Sequence, residues 1–138
     1  MIVGKHQDIT QVIIGSFRYV HKRLGYGFSE KIYENALAIE LRKKNMAVQQ
    51  QAAIKVFYDG AVIGDYVADL LIENAVIVEL KSVRTLLPEH EAQLLNYLKA
   101  TTFEVGLLLN FGPNAQLKRK LYDNDHKGLL GWTTKQTS

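Results

Sequence analysis

A chain of 138 residues, 47% hydrophobic and 22% charged, has the size of one ordinary globular domain with a core of its own. It has no cysteine, which excludes disulfides, zinc–thiolate sites and cysteine nucleophiles. Residues 1–112 carry twelve Lys/Arg and twelve Asp/Glu, so the net charge of +3 comes from the C-terminal end, where five bases face two acids. A nucleic-acid binder usually shows a stronger basic footprint; the run Leu117-Lys-Arg-Lys is read either as a solvated end or as a phosphate contact. The N-terminus lacks an apolar run of signal-peptide length, and stretches such as Val105 to Leu109 are too short to span a bilayer. The expectation is a soluble, cytoplasmic protein with no membrane contact.

Residues 6–24 read as an amphipathic helix, with Ile9, Ile13, Phe17, Val20 and Leu24 at helical spacing. Gly25-Tyr-Gly27 stops it. A second helix runs from Ser29, an expected N-cap, to Lys44, with apolar positions wrapping widely enough for packing on two sides. The period then changes. Gln49 to Tyr58 reads as a strand, Asp59-Gly60 as a two-residue turn and Ala61 to Ile72 as the return strand. A turn at Glu73-Asn-Ala75 leads into Val76 to Val83. Pro88 opens a helix to about Ala100. Val105 to Phe111 is continuously apolar, as in a strand covered on both faces, and a right-handed parallel crossover should join it to the preceding strand. Leu117 to Tyr122 reads as an edge strand or a short helix. The domain is expected to span residues 1–125, with 126–138 a loosely ordered tail. The order α-α-β-β-β-α-β describes an α/β fold with a mixed sheet and helices on its faces.

The hairpin of the second and third strands carries the chemistry. If Ile72 lies opposite Val76, then Leu70 faces Val78 and Ala68 faces Leu80, giving one apolar row; hydrophobic pattern sets register in this way. The same register puts Asp69 opposite Glu79 and Val67 opposite Lys81, with opposed Cβ atoms ~4.5–5.5 Å apart. Two adjacent carboxylates need a proton, a cation or a metal, and such oxygen ligands suit Mg²⁺. The competing reading is an ion pair between Lys81 and one acid. Glu30 shares a helical face with Tyr33, Leu37 and Leu41, so it should point inward; a first-turn glutamate favoured by the helix dipole explains its position but not that face.

At these residues the chain resembles a known family. Gly27-Phe-Ser-Glu30-Lys-Ile-Tyr33 is similar to the signature of the bacterial and archaeal GxxExxY family, as is its lead-in, His21-Lys-Arg-Leu-Gly25. So are Ile63-Gly-Asp-Tyr-Val-Ala-Asp69-Leu-Leu, Val76-Ile-Val-Glu79-Leu-Lys81, His90-Glu-Ala-Gln93-Leu-Leu-Asn-Tyr97 and Val105-Gly-Leu-Leu-Leu-Asn-Phe111. The likeness covers roughly residues 9–112, and Tyr26 departs from it where the family often has proline. It implies the PD-(D/E)XK superfamily and a three-layer α/β/α restriction-endonuclease-like core. It also implies a site in which Asp69 and Glu79, helped by the Leu80 carbonyl, hold Mg²⁺ or Mn²⁺. Glu30 would be the helix-borne acid that binds metal directly or through water. Lys81 would orient the attacking water or stabilise charge on the phosphate.

Gln93 and Tyr97 share a helical face and resemble the Q-x-x-x-Y motif of recombination-type exonucleases, which binds nucleic acid. From the residues alone, Tyr97 is better explained by packing at a helix–sheet interface. His90 is read as a solvated first-turn histidine near the same rim, and His21 as either a core histidine or a partner of Glu30. The implied activity is a metal-dependent nuclease acting on DNA, of exonuclease or processing type, with a homodimer or partner protein completing its DNA surface. The alternative is a non-catalytic nucleic-acid-binding or interaction module that retains the core.

Overall fold

A computed structural model describes residues 4–128. Helices α1 (Gln7–Leu24) and α2 (Glu30–Lys43) are followed by strands β1 (Val48–Tyr58), β2 (Ala61–Ile72) and β3 (Val76–Lys81). Helix α3 (Pro88–Ala100), strands β4 (Val105–Phe111) and β5 (Ala115–Leu121), and a 3₁₀ turn (Asn124–His126) complete it. The sheet order is β1-β2-β3-β4-β5. Among the described residues only the β3–β4 pair is parallel, and α3 is its crossover, as the strand–helix–strand pattern requires. Leu117 to Tyr122 resolves into the edge strand β5, antiparallel to β4. No helix among the described residues is long and apolar enough to cross a membrane.

Two apolar clusters make three layers. Ile13, Phe17, Tyr33, Leu37 and Leu41 of α1 and α2 pack against Leu70, Ile72, Val78, Leu80 and Leu109 on one sheet face. Leu94 and Leu98 of α3 pack with Tyr66, Leu71, Ile77 and Leu108 on the other. Every residue of β4 is buried, so that strand is apolar throughout. Phe111 is central to the first layer: Phe17 meets it edge-on at 4.8 Å and Tyr33 stacks on it at 4.3 Å between centroids. Such pairs add about 0.5–1.5 kcal/mol beyond area burial. At Gly106 a Cβ would lie 2.8 Å from Leu94, and at Gly112 it would lie 2.1 Å from the Val83 carbonyl; both close approaches require glycine.

β3 ends at Lys81, two residues short of the expected Val83. Fully buried Asn110 explains this, because its side chain accepts from the Val83 N–H at 2.9 Å and donates to the Val83 carbonyl at 2.8 Å. A side chain thus replaces the strand ladder. Of the tail expected to be loose, Lys127 is docked: its ammonium donates to the carbonyls of Thr101 and Phe103, each at 2.7 Å. The rest of that expectation, residues 129–138, lies outside the described residues.

The hairpin register follows the apolar pattern for Ile72–Val76, Leu71–Ile77 and Leu70–Val78, and there the ladder stops. Ala68 does not continue the row towards Leu80. It belongs to the cluster under α3, whereas Leu70 and Leu80 belong to the cluster under α1 and α2. The cause lies on β1. Gln51, the residue that the register would set opposite Asp69, has φ +51° and is skipped between the Gln50–Leu70 and Ala52–Ala68 pairs. This left-handed residue reverses the faces of both strands at one level, a local irregularity invisible to a period-two reading.

Candidate active site

The glycine–glutamate–tyrosine spacing is first a structural device. The Tyr33 hydroxyl donates to the Gly25 carbonyl at 2.6 Å and accepts from the Phe28 N–H at 3.3 Å. The loop it closes needs φ +71° at Gly25 and +113° at Gly27, conformations that favour glycine. Ser82, just past β3, donates to the Phe28 carbonyl at 3.0 Å. The start of α2 is thereby tied to the end of β3. Ser29 stands at the N-cap position without a side-chain cap bond. Tyr33, Leu37 and Leu41 are fully buried as expected, but Glu30, one turn earlier, is exposed. The helix has emerged from the core by its first turn, so the inward orientation expected for Glu30 is corrected. Its charge still reaches Glu79.

Asp69 does not face Glu79 across a regular ladder either. Beyond Leu70 and Val78 the strands part, and the Asp69 carboxylate fills the gap by accepting from the Leu80 N–H at 2.8 Å. The separation opens a cleft lined by Val67, Glu79, Lys81, His90, Gln93 and Tyr97, among others. Strand alternation places Glu79 and Lys81 there together, because Val78 and Leu80 point into the opposite layer. The structure therefore joins Glu79, Lys81, His90, Gln93 and Tyr97, leaves Asp69 at the cleft's strand junction, and keeps Glu30 at the surface.

Glu79 is the unusual group. One carboxyl oxygen, Oε1, is buried without a hydrogen-bond partner. Burial pushes its pKa from 4.5 up to about 8; Lys81 and the backbone of Asp69 oppose this, and the acids Glu30 and Glu34 reinforce it. A carboxyl so placed sits close to the balance between holding a proton and holding a cation.

Three residues here escaped the sequence reading. Glu34 is 3% exposed and accepts from Lys31, Gln50 and Gln51 at 2.6–3.0 Å. Gln51 also reaches Asp69 at 3.4 Å, so it stands between the two acids. Tyr66 stacks on Tyr97, with centroids 3.7 Å apart, and its buried hydroxyl has no partner. Glu34 had a signal: it lies three, four and seven residues before Leu37, Ala38 and Leu41, on a buried stripe. Gln51 had none, since a left-handed glutamine within a strand follows no pattern.

The remaining residues are placed plainly. Gln93 is exposed on the cleft rim, and Tyr97 both lines the cleft and packs on Tyr66. The His90 Nδ1 accepts from the Leu87 N–H at 3.1 Å, which fixes the ring at the start of α3 and leaves Nε2 for a proton. The bond of His21 goes to the Gly112 carbonyl, at 2.8 Å, and ties α1 to the end of β4. In the basic run of β5, Lys120 pairs with Glu91 at 2.7 Å, while Lys118 and Arg119 are exposed.

Among the described residues no three His, Cys, Asp or Glu side chains converge closely enough to hold a metal ion. The donor types nonetheless fit a hard divalent cation: an unpartnered buried carboxylate oxygen on Glu79, and an Asp69 carboxylate anchored on the N–H of the next residue, Leu80, are oxygen ligands of the kind Mg²⁺ takes, with water completing the shell. A cation next to the one ammonium of the cleft would make the site attractive to a phosphate.

Residues 7–121 match the family model described as the PD-(D/E)XK nuclease superfamily. No curated protein matches significantly. Among solved structures, the crystal structure of SSO0001 superposes with a TM-score of 0.52 at 20% identity, covering 88% of this chain. The chain spans 63% of that protein's length, and at this identity the likeness is one of fold.

Proposed function

Because the chain belongs to the PD-(D/E)XK nuclease superfamily, we propose that it cleaves DNA phosphodiester bonds with Mg²⁺ or Mn²⁺, as an exonuclease or end-processing enzyme. The observation that carries this reading is the buried Glu79 carboxyl, with an unpartnered oxygen and Lys81 beside it in the cleft. Such a group weakens the fold unless something occupies the site. Asp69 and Glu79 would hold the cation with the Leu80 carbonyl, and Glu30 would join them directly or through water. The cation would supply a Lewis acid and a more acidic water.

The protein's own groups do the rest. Asp69, fixed by the Leu80 N–H, is oriented before any ligand arrives. The Lys81 ammonium donates to the attacking water or to a phosphate oxygen. Gln93, four residues before Tyr97 on the exposed rim, meets the strand, and its resemblance to the Q-x-x-x-Y pattern favours end-processing chemistry. The GxxExxY signature supports a finer placement within the superfamily. Balanced charge over residues 1–112 supports a second copy or a partner protein completing the DNA surface. The same balance favours the second reading, a binding module that retains the core.

Calorimetry and cleavage of labelled DNA test this reading together. Wild type should bind Mn²⁺, and Asp69→Asn should bind it at least ~10-fold more weakly. Lys81→Ala should hold Mn²⁺ as well as wild type yet lose at least ~10²-fold in cleavage rate. Equal Mn²⁺ affinity in wild type and Asp69→Asn removes the metal site. Wild type that cuts no single- or double-stranded DNA or RNA supports the binding module.

A further inference from the structure

Two buried polar atoms among the cleft-lining residues have no partner: Glu79 Oε1 and the Tyr66 hydroxyl. The first is explained by the cation reading. The second is not, and it is costly, because a buried hydroxyl without a hydrogen bond is destabilising. Tyr66 is 7% exposed, so solvent does not reach it freely. Its ring needs no hydroxyl to pack: it stacks on Tyr97 with an interplanar angle of 12° and lies among Ile54, Ala68, Leu94 and Leu108 in the α3-side cluster. Phenylalanine would fill the same place without the unsatisfied group.

Tyr66 is also well placed to be rigid. It sits on β2 opposite Ile54 of β1, three residues before Asp69 and beyond the point where β2 and β3 part. There β2 is paired on its β1 side and borders the cleft on the other. A phenol is both donor and acceptor. Among the other charged and polar groups lining this cleft, Lys81 can only donate, Glu79 when ionised can only accept, Gln93 stands outside on the rim, His90 is held at the start of α3 by the Leu87 N–H, and Tyr97 is the ring on which Tyr66 stacks. A neutral donor on the inner wall would meet the oxygen of a phosphate held between Lys81 and Glu79's cation.

We propose that Tyr66 is a substrate-binding residue of this cleft, whose hydroxyl donates a hydrogen bond to a phosphate oxygen of the nucleic-acid strand. This rests on the nuclease reading for the identity of the ligand, but its test separates the two.

The test is Tyr66→Phe, which keeps the stacked ring. Affinity for thymidine 5′-monophosphate is measured by calorimetry in Ca²⁺, below the melting temperature of both proteins, beside metal-free thermal melts and Mn²⁺-dependent DNA cleavage. The variant should melt at the same temperature or higher, bind the nucleotide about 10-fold more weakly, the loss of one hydrogen bond to a charged oxygen, and cleave more slowly. Equal nucleotide affinity in the two proteins overturns the assignment whatever the cleavage rate, as does wild type that fails to bind the nucleotide. Weakened binding in a variant of a protein that cuts nothing keeps Tyr66 as a phosphate contact and sinks only the nuclease reading.

Discussion

Replacing Glu79 by glutamine should stabilise the metal-free protein at neutral pH and remove most of its pH dependence between 5 and 8. The folded protein holds the Glu79 proton up to about pH 8, against an ordinary 4.5. Below pH 4.5 both folded and unfolded chains carry this proton, and stability is unaffected. Between 4.5 and 8 the unfolded chain has lost it and the folded chain has not, so stability falls as pH rises. At about 1.4 kcal/mol per pH unit, the loss reaches about 3 kcal/mol at pH 7 and levels off near 5 kcal/mol above pH 8. Glu79→Gln should therefore raise the melting temperature at pH 7 by about 10 °C, taking roughly 3–4 °C per kcal/mol for a domain of this size. At pH 4.5 the two proteins should melt together. A Mn²⁺ ion bound here would have to displace the same proton, so its affinity for wild type should climb by ~10-fold per unit below pH 7 and less steeply as the pH nears 8. Melts in urea and calorimetry across this range measure both. Parallel stability curves for wild type and Glu79→Gln between pH 5 and 8 would show instead that the carboxyl is solvated and ordinary.

Two further outcomes are expected. Gln93→Ala should weaken DNA binding several-fold while leaving Mn²⁺ affinity and melting temperature unchanged, since the side chain is exposed on the rim; filter binding beside calorimetry checks it, and a matching loss of stability would mark a packing role instead. Gly112→Ala should destabilise by at least ~3 kcal/mol, comparable to severe overpacking, because its Cβ would lie 2.1 Å from the Val83 carbonyl; urea melts decide this, and a loss below 1 kcal/mol would show that the β3 exit yields.

The sequence exposed those parts of the fold that repeat. Both long helices, the Asp59-Gly60 turn, the crossover and the Leu70–Val78 register follow from apolar spacing, and each is found. Reading failed where one residue breaks a period. Gln51, with φ +51°, reverses two strands at once and carries Ala68 away from Leu80. Glu30 continues the helical stripe of Tyr33, but the stripe enters the core only after the first turn. At the site, Glu79 and Lys81 follow from alternation on β3. The burial of Glu34 also follows from its stripe, but its bonds and the place of Tyr66 do not, because the chemical interest of a buried glutamate or phenol lies in its neighbours from other elements.

The two strand carboxylates stand in opposite relations to the fold. Asp69 caps a backbone N–H where the ladder gives out, so the protein keeps a use for it with or without chemistry. Glu79 has no hydrogen-bond partner for one buried oxygen, and on the reasoning above it should weaken the metal-free protein. In a lineage that stopped cutting, drift would be free to discard Glu79 long before Asp69. Among relatives sharing this hairpin, an intact aspartate is thus poor testimony to activity, and a retained glutamate is the better witness. Comparing the two positions separately would sort working members from retired ones more sharply than scoring the motif as a unit.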